Sequence, residues 1–224
     1  MSLILACLSS LILRSDVAVP PLSMFIPGQV LESRIQTMFT EGNGSGRPRD
    51  RSGKDGYDSI RGGGSSTRKS VRMERNGDRI YLVTLAQSRS DIVQFELRTD
   101  AMGRSLACDP KSTNSDEVDR FATLMRQPLW PAAFTASTWT YPMPSIRRGD
   151  KPIEVHCSAT AEAGVITMKQ IVDSVILGGG KTYFEVTIRM DQNTGKLKSI
   201  YEWIEHGGKD VENPATIYDE KFPS

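Results

Sequence analysis

A series of strand-like segments joined by tight-turn sequences places the strongest constraint on the fold. Apolar and polar side chains alternate along residues 71–75, 79–86 and 92–99, as in strands with one buried face. Asn76 and Gly77 separate the first two segments, and this pair is a strong signal for a two-residue hairpin. A fourth short segment, 104–108, follows. The sequence therefore predicts an antiparallel meander.

A second hairpin is predicted near the end of the chain. Residues 182–190 and 197–204 have the clearest strand patterns, and the loop between them contains Gly195. Glycine adopts a positive φ angle readily, as such a loop requires.

Three segments have helical patterns. Asp116 is a candidate N-cap for a helix that buries Phe121 and Met125 and ends before Pro128. Residues 29–39 form a short amphipathic pattern. Residues 167–176 begin with a capping-box sequence, and Gly178 after them is a helix stop signal. Their β-branched residues favour a strand, but their apolar spacing fits a helix better.

The expected fold class is α+β: a twisted antiparallel β-sheet of about six or seven strands, covered by two or three helices. We expect residues 1–20 to form an export signal or an apolar N-terminal segment. Residues 21–67 then form a spacer, a short helix and a flexible linker rich in Gly, Ser and Arg. Residues 68–206 form one β-rich domain, and 207–224 form a polar tail.

The three cysteines suggest a location. Cys7 lies in an apolar N-terminal segment of a length that suits a signal peptide. The alternatives are a buried N-terminal helix and a lipoprotein cleavage box in which Cys7 carries the lipid. Removal of a signal leaves Cys108 and Cys157, which either pair as a disulfide or stay as two buried thiols. A disulfide would close a loop of about 50 residues and stabilise the fold by roughly 4 kcal/mol. This pairing predicts an extracytoplasmic protein in the periplasm, the cell envelope or the external medium.

Sequence patterns for catalysis are weak. Gly179, Gly180 and Lys181 resemble part of a phosphate loop, but the upstream glycine is missing and a strand follows. His156 and Cys157 are neighbours on a strand and therefore face opposite sides of the sheet, so they are poorly placed to share a proton. His156 and His206 lack the short spacing of metal ligands. No catalytic residue, metal site or cofactor is predicted.

Aromatic residues provide a candidate ligand site. They lie among prolines in residues 129–152, where they either anchor a partner or apolar ligand or cover the end of the sheet as core. The candidate ligand-binding residues are Trp130, Trp139 and Tyr141.

Two local resemblances support a binding role. Residues 167–200 combine a capped helix, a glycine turn and a strand pair with an Asp-x-x-Thr-Gly-Lys loop, and this arrangement resembles a PepSY-type module. The meander around Asn76 and Gly77 is similar to strands in the half-barrel of periplasmic lipoprotein carriers. Both resemblances imply exported binding proteins without enzymatic activity.

The sequence thus predicts a non-enzymatic exported protein that binds a protein, a lipid or another apolar ligand, with membrane contact only through an N-terminal anchor. One alternative is a hydrolase that uses Cys157 or a carboxylate pair. Another is nucleic-acid binding through the Arg-rich residues 47–75. That segment contains only one aromatic residue for base stacking, and three aspartates dilute its charge. We therefore expect no nucleic-acid partner.

Overall fold

The computed structural model describes residues 17–20, 25–40, 59–86, 92–114, 116–131, 137–147, 149–207 and 215–223. Cys7 and residues 1–16 of the predicted export signal lie outside these ranges. The N-terminal half of the chain forms five strands and one helix. These elements are β1 (Val30–Thr40), β2 (Ser59–Met73), β3 (Arg79–Ala86), β4 (Ile92–Thr99), β5 (Ser105–Pro110) and α1 (Glu117–Met125).

Six further strands follow α1. They are β6 (Thr138–Met143), β7 (Ile153–Glu162), β8 (Val165–Leu177), β9 (Gly180–Asp191), β10 (Leu197–His206) and β11 (Ala215–Lys221). The predicted α+β fold, with six or seven strands and two or three helices, is therefore wrong. The described chain is nearly all-β, with one short helix.

All eleven strands belong to one antiparallel sheet in the order β5-β4-β3-β2-β1-β11-β10-β9-β8-β7-β6. Each half of the chain forms a meander, and the two meanders join in the middle of the sheet. This junction is the pairing of β1 with β11, in which Arg34 lies opposite Lys221 and Gln36 opposite Asp219. The strands nearest the two chain ends therefore form the centre of the sheet.

The sheet curls into a nearly closed barrel, and its edge strands β5 and β6 approach each other without a shared strand ladder. The Tyr141 hydroxyl on β6 donates a hydrogen bond to the Ser105 carbonyl on β5 at 3.2 Å. Nearby, the Trp139 indole N–H donates to the Leu129 carbonyl at 2.7 Å. We call this junction between β5 and β6 the seam.

Three of the central strands come from segments that were predicted otherwise. Residues 29–39 were expected to be a helix, residues 41–67 a flexible linker and residues 207–224 a loose tail, but the structure has β1, β2 and β11 there. Residues 41–58 and 208–214 lie outside the described ranges. The side chains of β2 bury little apolar surface and have low strand propensity. The segment still forms a strand because pairing with β1 and β3 satisfies the hydrogen bonds of its backbone.

The predicted helix at residues 167–176 is also wrong, because β8 pairs with β7 and β9 over this segment. The β-branched residues decide the outcome, since they pack well on a pleated sheet. Gly178 and Gly179, both at positive φ, form the turn from β8 to β9. The helix required by the PepSY-type resemblance is therefore absent from residues 167–177.

The hairpins and the central helix were predicted correctly. Gly77 and Gly195 have positive φ angles in the turns between β2 and β3 and between β9 and β10. The Asp116 side chain accepts a hydrogen bond from the Asp119 backbone N–H at 2.7 Å and caps α1. Phe121 and Met125 are fully buried, as the apolar stripe of the helix predicted.

Helix α1 lies against the inner face of the sheet, and its apolar side chains are part of the main core. Phe121 packs edge-to-face on Phe184 of β9, with ring centroids 4.7 Å apart. Cys108 and Cys157 belong to the same core, and so does Val17, which is 6% exposed. No helix in the described part of the chain has the length and hydrophobicity needed to span a bilayer.

Two buried polar contacts attach the C-terminal end of α1 to the sheet. The Arg126 guanidinium forms a two-pronged ion pair with the Glu202 carboxylate on β10, at 2.6 and 2.9 Å. The Gln170 amide on β8 donates to the Met125 carbonyl at 2.6 Å and accepts from the Leu129 N–H at 2.8 Å. We call these two contacts the latch, because they hold the helix against a wall of the barrel.

The N-terminal end of α1 is attached by Glu117, which accepts hydrogen bonds from Arg147 and from the Gly178 N–H. These two partners lower the pKa of Glu117 from 4.5 to about 2, with Arg147 the larger cause. A carboxylate with a depressed pKa contributes stability above its unfolded-state pKa, and this stability is lost as the pH falls toward the folded-state value.

We therefore predict that the free energy of unfolding falls between about pH 5 and pH 2, and that Glu117→Gln reduces this fall. The difference should not exceed about 1 kcal/mol, because the carboxylate is partly solvent-exposed and screened. Urea unfolding across this pH range measures it. Glu154→Gln, a change at an exposed position on β7, is the matched control. Equal pH dependence of the wild type and Glu117→Gln would contradict the prediction.

Candidate functional site

The barrel has two ends, and one of them contains a small cavity. At this end β3 begins, β4 finishes and β9 turns into β10. The cavity has a volume of about 80 Å³, and its lining includes Pro20, Pro128 and the β9–β10 turn. We call it the end cavity.

Alternation along β3 and β4 directs polar side chains into the end cavity. Val83 and Leu85 on β3 belong to the core, so Arg79 and Tyr81 face the same interior. Thr99 on β4 lies directly opposite Arg79 in the strand register and is 1% exposed. The cavity therefore has a polar wall although the adjoining core is apolar.

Arg68 on β2 adds a second guanidinium to this wall. It lies over the Tyr81 ring, 5.6 Å from the ring centroid. Burial lowers the pKa of Arg68, while the charges of Tyr81 and Glu220 oppose this shift. Glu220 itself accepts a hydrogen bond from the Ser33 hydroxyl on β1.

A larger groove of about 770 Å³ lies against β1, β2 and β11. Glu32, Arg34 and Gln36 alternate with core-facing residues and therefore lie on the outer face of the sheet. Asp219 and Lys221 continue this wall on β11. The groove carries charges of both signs, and Ile35, Phe222 and Pro223 add apolar surface to its lining.

The predicted aromatic site lies at the seam, although its members differ in exposure. Trp130 is fully buried and stacks on Trp139 with ring centroids 5.9 Å apart. Trp139 and Tyr141 are half-buried on β6 and pack against the main core. Trp130 also lines the end cavity. The three residues therefore cover the junction of β5 and β6, and their role in ligand binding stays a prediction.

The structure contains no disulfide between Cys108 and Cys157; both are free, buried thiols. The pairing prediction is therefore corrected to its alternative, two buried thiols in the apolar core. Burial raises the pKa of both thiols to about 12. A nucleophilic cysteine needs a thiolate, so this environment disfavours Cys157 as a catalytic residue.

The remaining candidates for chemistry do not form a site in the described residues. His156 is exposed on the face of β7 opposite Cys157, and the side chain of His206 lies outside the description. No group of three or more His, Cys, Asp or Glu residues in the described ranges is close enough to hold a metal ion. Glu202 and Glu220 are both buried but are engaged by Arg126 and Ser33.

The basic residues in the described part of the Arg-rich segment differ in exposure. Arg68 faces the interior, while Arg72 is exposed and pairs with Glu74 at 3.1 Å. Residues 47–58 lie outside the description. Nucleic-acid binding through this segment is not tested by these contacts.

Sequence reasoning missed the end cavity, although strand alternation contained a signal for it. On β4, the alternation that directs Phe95 and Leu97 inward also directs Thr99 inward. On β3, the alternation of Val83 and Leu85 does the same for Arg79. A charged residue in phase with core residues was the sign of a buried polar site.

Comparison with known proteins identifies no relative: no protein-family model matches the chain, and no curated protein sequence is similar to it.

The buried thiols lead to a direct prediction. In a Cys7→Ser variant, native protein at pH 8 should show almost no reaction with an aromatic disulfide reagent, because both remaining thiols are protonated and shielded. Two thiols should react once the protein is unfolded in urea without reductant. A count of zero under unfolding conditions would reveal a disulfide and contradict the structure.

Proposed function

We propose that the protein is a non-enzymatic binding protein that holds an apolar or amphipathic ligand inside the curled sheet. The observation that carries this proposal is the seam. Among the described residues, the two edge strands share no strand ladder there and are joined by the Tyr141 side chain, beside a short helix whose apolar side chains are part of the core. A barrel with such a seam can open there without breaking a strand ladder.

When the barrel opens, the apolar ligand would take the place of the apolar side of α1 on the sheet. The stripe of α1 is apolar, and so is most of the inner face of the sheet, apart from polar residues such as Gln170 and Glu202 that contact the end of the helix. A ligand chain that replaces the helix would therefore bury largely the same apolar sheet surface. The buried side chains include Phe121, Leu124 and Met125 of α1 and Phe184 and Ile188 of β9. The interior is therefore suited to bind hydrocarbon once the helix moves.

The latch supplies the resistance to opening. Gln170 is fully buried, and its two hydrogen bonds hold the backbone of Met125 and Leu129. Buried polar groups that lose their partners cost about 1–3 kcal/mol each. This cost keeps the population of the open state, in which the helix has left the sheet, low in the absence of ligand.

The predicted aromatic residues fit this proposal as the cover of the seam. Tyr141 donates the hydrogen bond that joins β6 to β5, Trp139 donates one to Leu129 after α1, and Trp130 stacks on Trp139. A ligand entering at the seam would contact the half-buried Trp139 and Tyr141 before the fully buried Trp130. The resemblance to half-barrel carriers points to the same kind of ligand.

An extracytoplasmic location remains part of the proposal, supported now only by the apolar N-terminal segment. The disulfide argument no longer supports it, because Cys108 and Cys157 are not bonded. A hydrolase is the weaker alternative because Cys157 lacks both exposure and an adjacent base.

The test uses decan-1-ol, a neutral ten-carbon chain, with tryptophan emission and calorimetry as readouts. Saturable binding is expected for the wild type. Gln170→Met keeps a similar volume but removes one of the two contacts of the latch, so it should lower the apparent Kd about tenfold by raising the population of the open state. Absence of saturable binding would contradict the proposal.

Gln94→Met is the matched control, since Gln94 lies on β4 and hydrogen-bonds Thr84 rather than α1. Its affinity for decan-1-ol should equal that of the wild type. An equal Kd for the wild type and a folded Gln170→Met variant would show that the Gln170 contact of the latch does not restrain binding.

A further inference from the structure

The end cavity contains two buried polar atoms that lack hydrogen-bond partners. They are Nε of Arg79 and Oγ1 of Thr99, which lie on paired residues of β3 and β4. Unpartnered polar atoms in a protein interior are uncommon, because each costs about the free energy of a lost hydrogen bond. Two such atoms on one wall indicate a position built for a group that accepts hydrogen bonds.

Aromatic rings hold the guanidinium groups of this wall in place. Arg68 lies over the Tyr81 ring, and Arg79 lies over the Phe25 ring at 5.9 Å from its centroid. The two rings meet edge-to-face with centroids 5.4 Å apart. The resulting series Arg68–Tyr81–Phe25–Arg79 orients two positive charges at one end of the barrel before any ligand binds.

The charge of the cavity is positive. None of the described residues that line it is acidic, and the two arginines are its only charged members. Glu220 attracts Arg68 electrostatically but does not line the cavity. An anion placed there would meet two positive charges and no adjacent carboxylate.

The size of the cavity limits what it can hold. Its volume of about 80 Å³ exceeds the roughly 10–15 Å³ needed for one ordered water. A carboxylate or a single phosphate-like group fits, but a hydrocarbon chain does not. The bulk of any larger ligand must therefore lie outside the cavity, whose lining includes the apolar residues Trp130, Met190 and Leu197.

From these observations we infer that the end cavity binds the anionic head group of an amphipathic ligand, through Arg68, Arg79 and the Thr99 hydroxyl. This inference rests on the proposed function, since it assigns the chemical class of the ligand that the interior holds. The Arg79 Nε–H would donate to the head group, the Thr99 hydroxyl would do the same, and Arg68 would contribute charge. The apolar tail would extend from the cavity toward the core side of the seam.

Decanoate and decan-1-ol are the matched probes, because they share chain length and differ in the charged head. For the wild type, the Kd of decanoate should be at least about tenfold lower than that of decan-1-ol, which is the effect of one hydrogen bond to a charged group. The ratio should fall to near one in Arg79→Gln. Calorimetry at pH 8 measures all four values.

Thr99→Val provides a second variant whose folding should not suffer. Its hydroxyl has no partner in the described structure, so valine should leave the thermal midpoint equal or higher. The preference for decanoate should nevertheless decrease at least about threefold. Arg72→Gln removes an exposed arginine of β2 that does not line the cavity, and its preference should equal that of the wild type.

The outcomes distinguish failure of the head-group site from failure of the proposed binding function. Equal affinity of the wild type for decanoate and decan-1-ol would overturn the head-group site and leave the interior site standing. A preference for decanoate that survives in both folded variants, Arg79→Gln and Thr99→Val, would also overturn it. Failure of both probes to bind would contradict the proposed function and this inference together.

Discussion

The ion pair between Arg126 and Glu202 is the interaction on which the arrangement of the interior depends. Both side chains are almost completely buried, at 7% and 0% exposure, so each requires the other. Burial raises the pKa of Glu202, and the Arg126 guanidinium opposes that shift. A buried pair of this kind adds little net stability, but loss of one partner costs about 3–5 kcal/mol. The ion pair therefore fixes the position of α1 on the sheet, because any other position would leave a buried charge without its partner.

The seam exists because the sheet curls around this helix. A closed barrel would pair β5 with β6, but the helix and the following residues 126–131 occupy the space beside that junction. The Tyr141 side chain bridges it instead, and Trp139 on β6 hydrogen-bonds Leu129 in the segment that follows the helix. The same insertion that fills the core therefore leaves one junction of the wall without a ladder, which gives the proposed binding function a route for entry.

Two turns and one helix cap were predicted correctly from short stretches of sequence. Asn76 and Gly77, the loop at Gly195 and the cap at Asp116 were each recognised, because the backbone at these positions depends on nearby residues. The central strands were missed because their order depends on distant pairing. Small and polar residues in β2 read as a linker, although pairing with β1 and β3 satisfies their backbone. Strand β8 was misassigned because an apolar period of two can mimic a helical stripe in a short segment.

The candidate site was predictable only in part. The aromatic residues Trp130, Trp139 and Tyr141 were selected from their types and lie together at the seam. The end cavity required knowledge of which strands are neighbours, since Arg68, Arg79 and Thr99 come from three strands. The predicted disulfide between Cys108 and Cys157 failed for the same reason: an even number of cysteines does not establish that two of them meet.

Hydrogen–deuterium exchange of α1 during ligand binding tests the central claim most directly. With decan-1-ol at saturation, amides of residues 117–130 should lose protection while those of β8 to β10 keep theirs, because the helix leaves a sheet that stays paired. Saturated binding with unchanged protection in residues 117–130 would contradict the account, since the ligand would then occupy a site that does not require the helix to move.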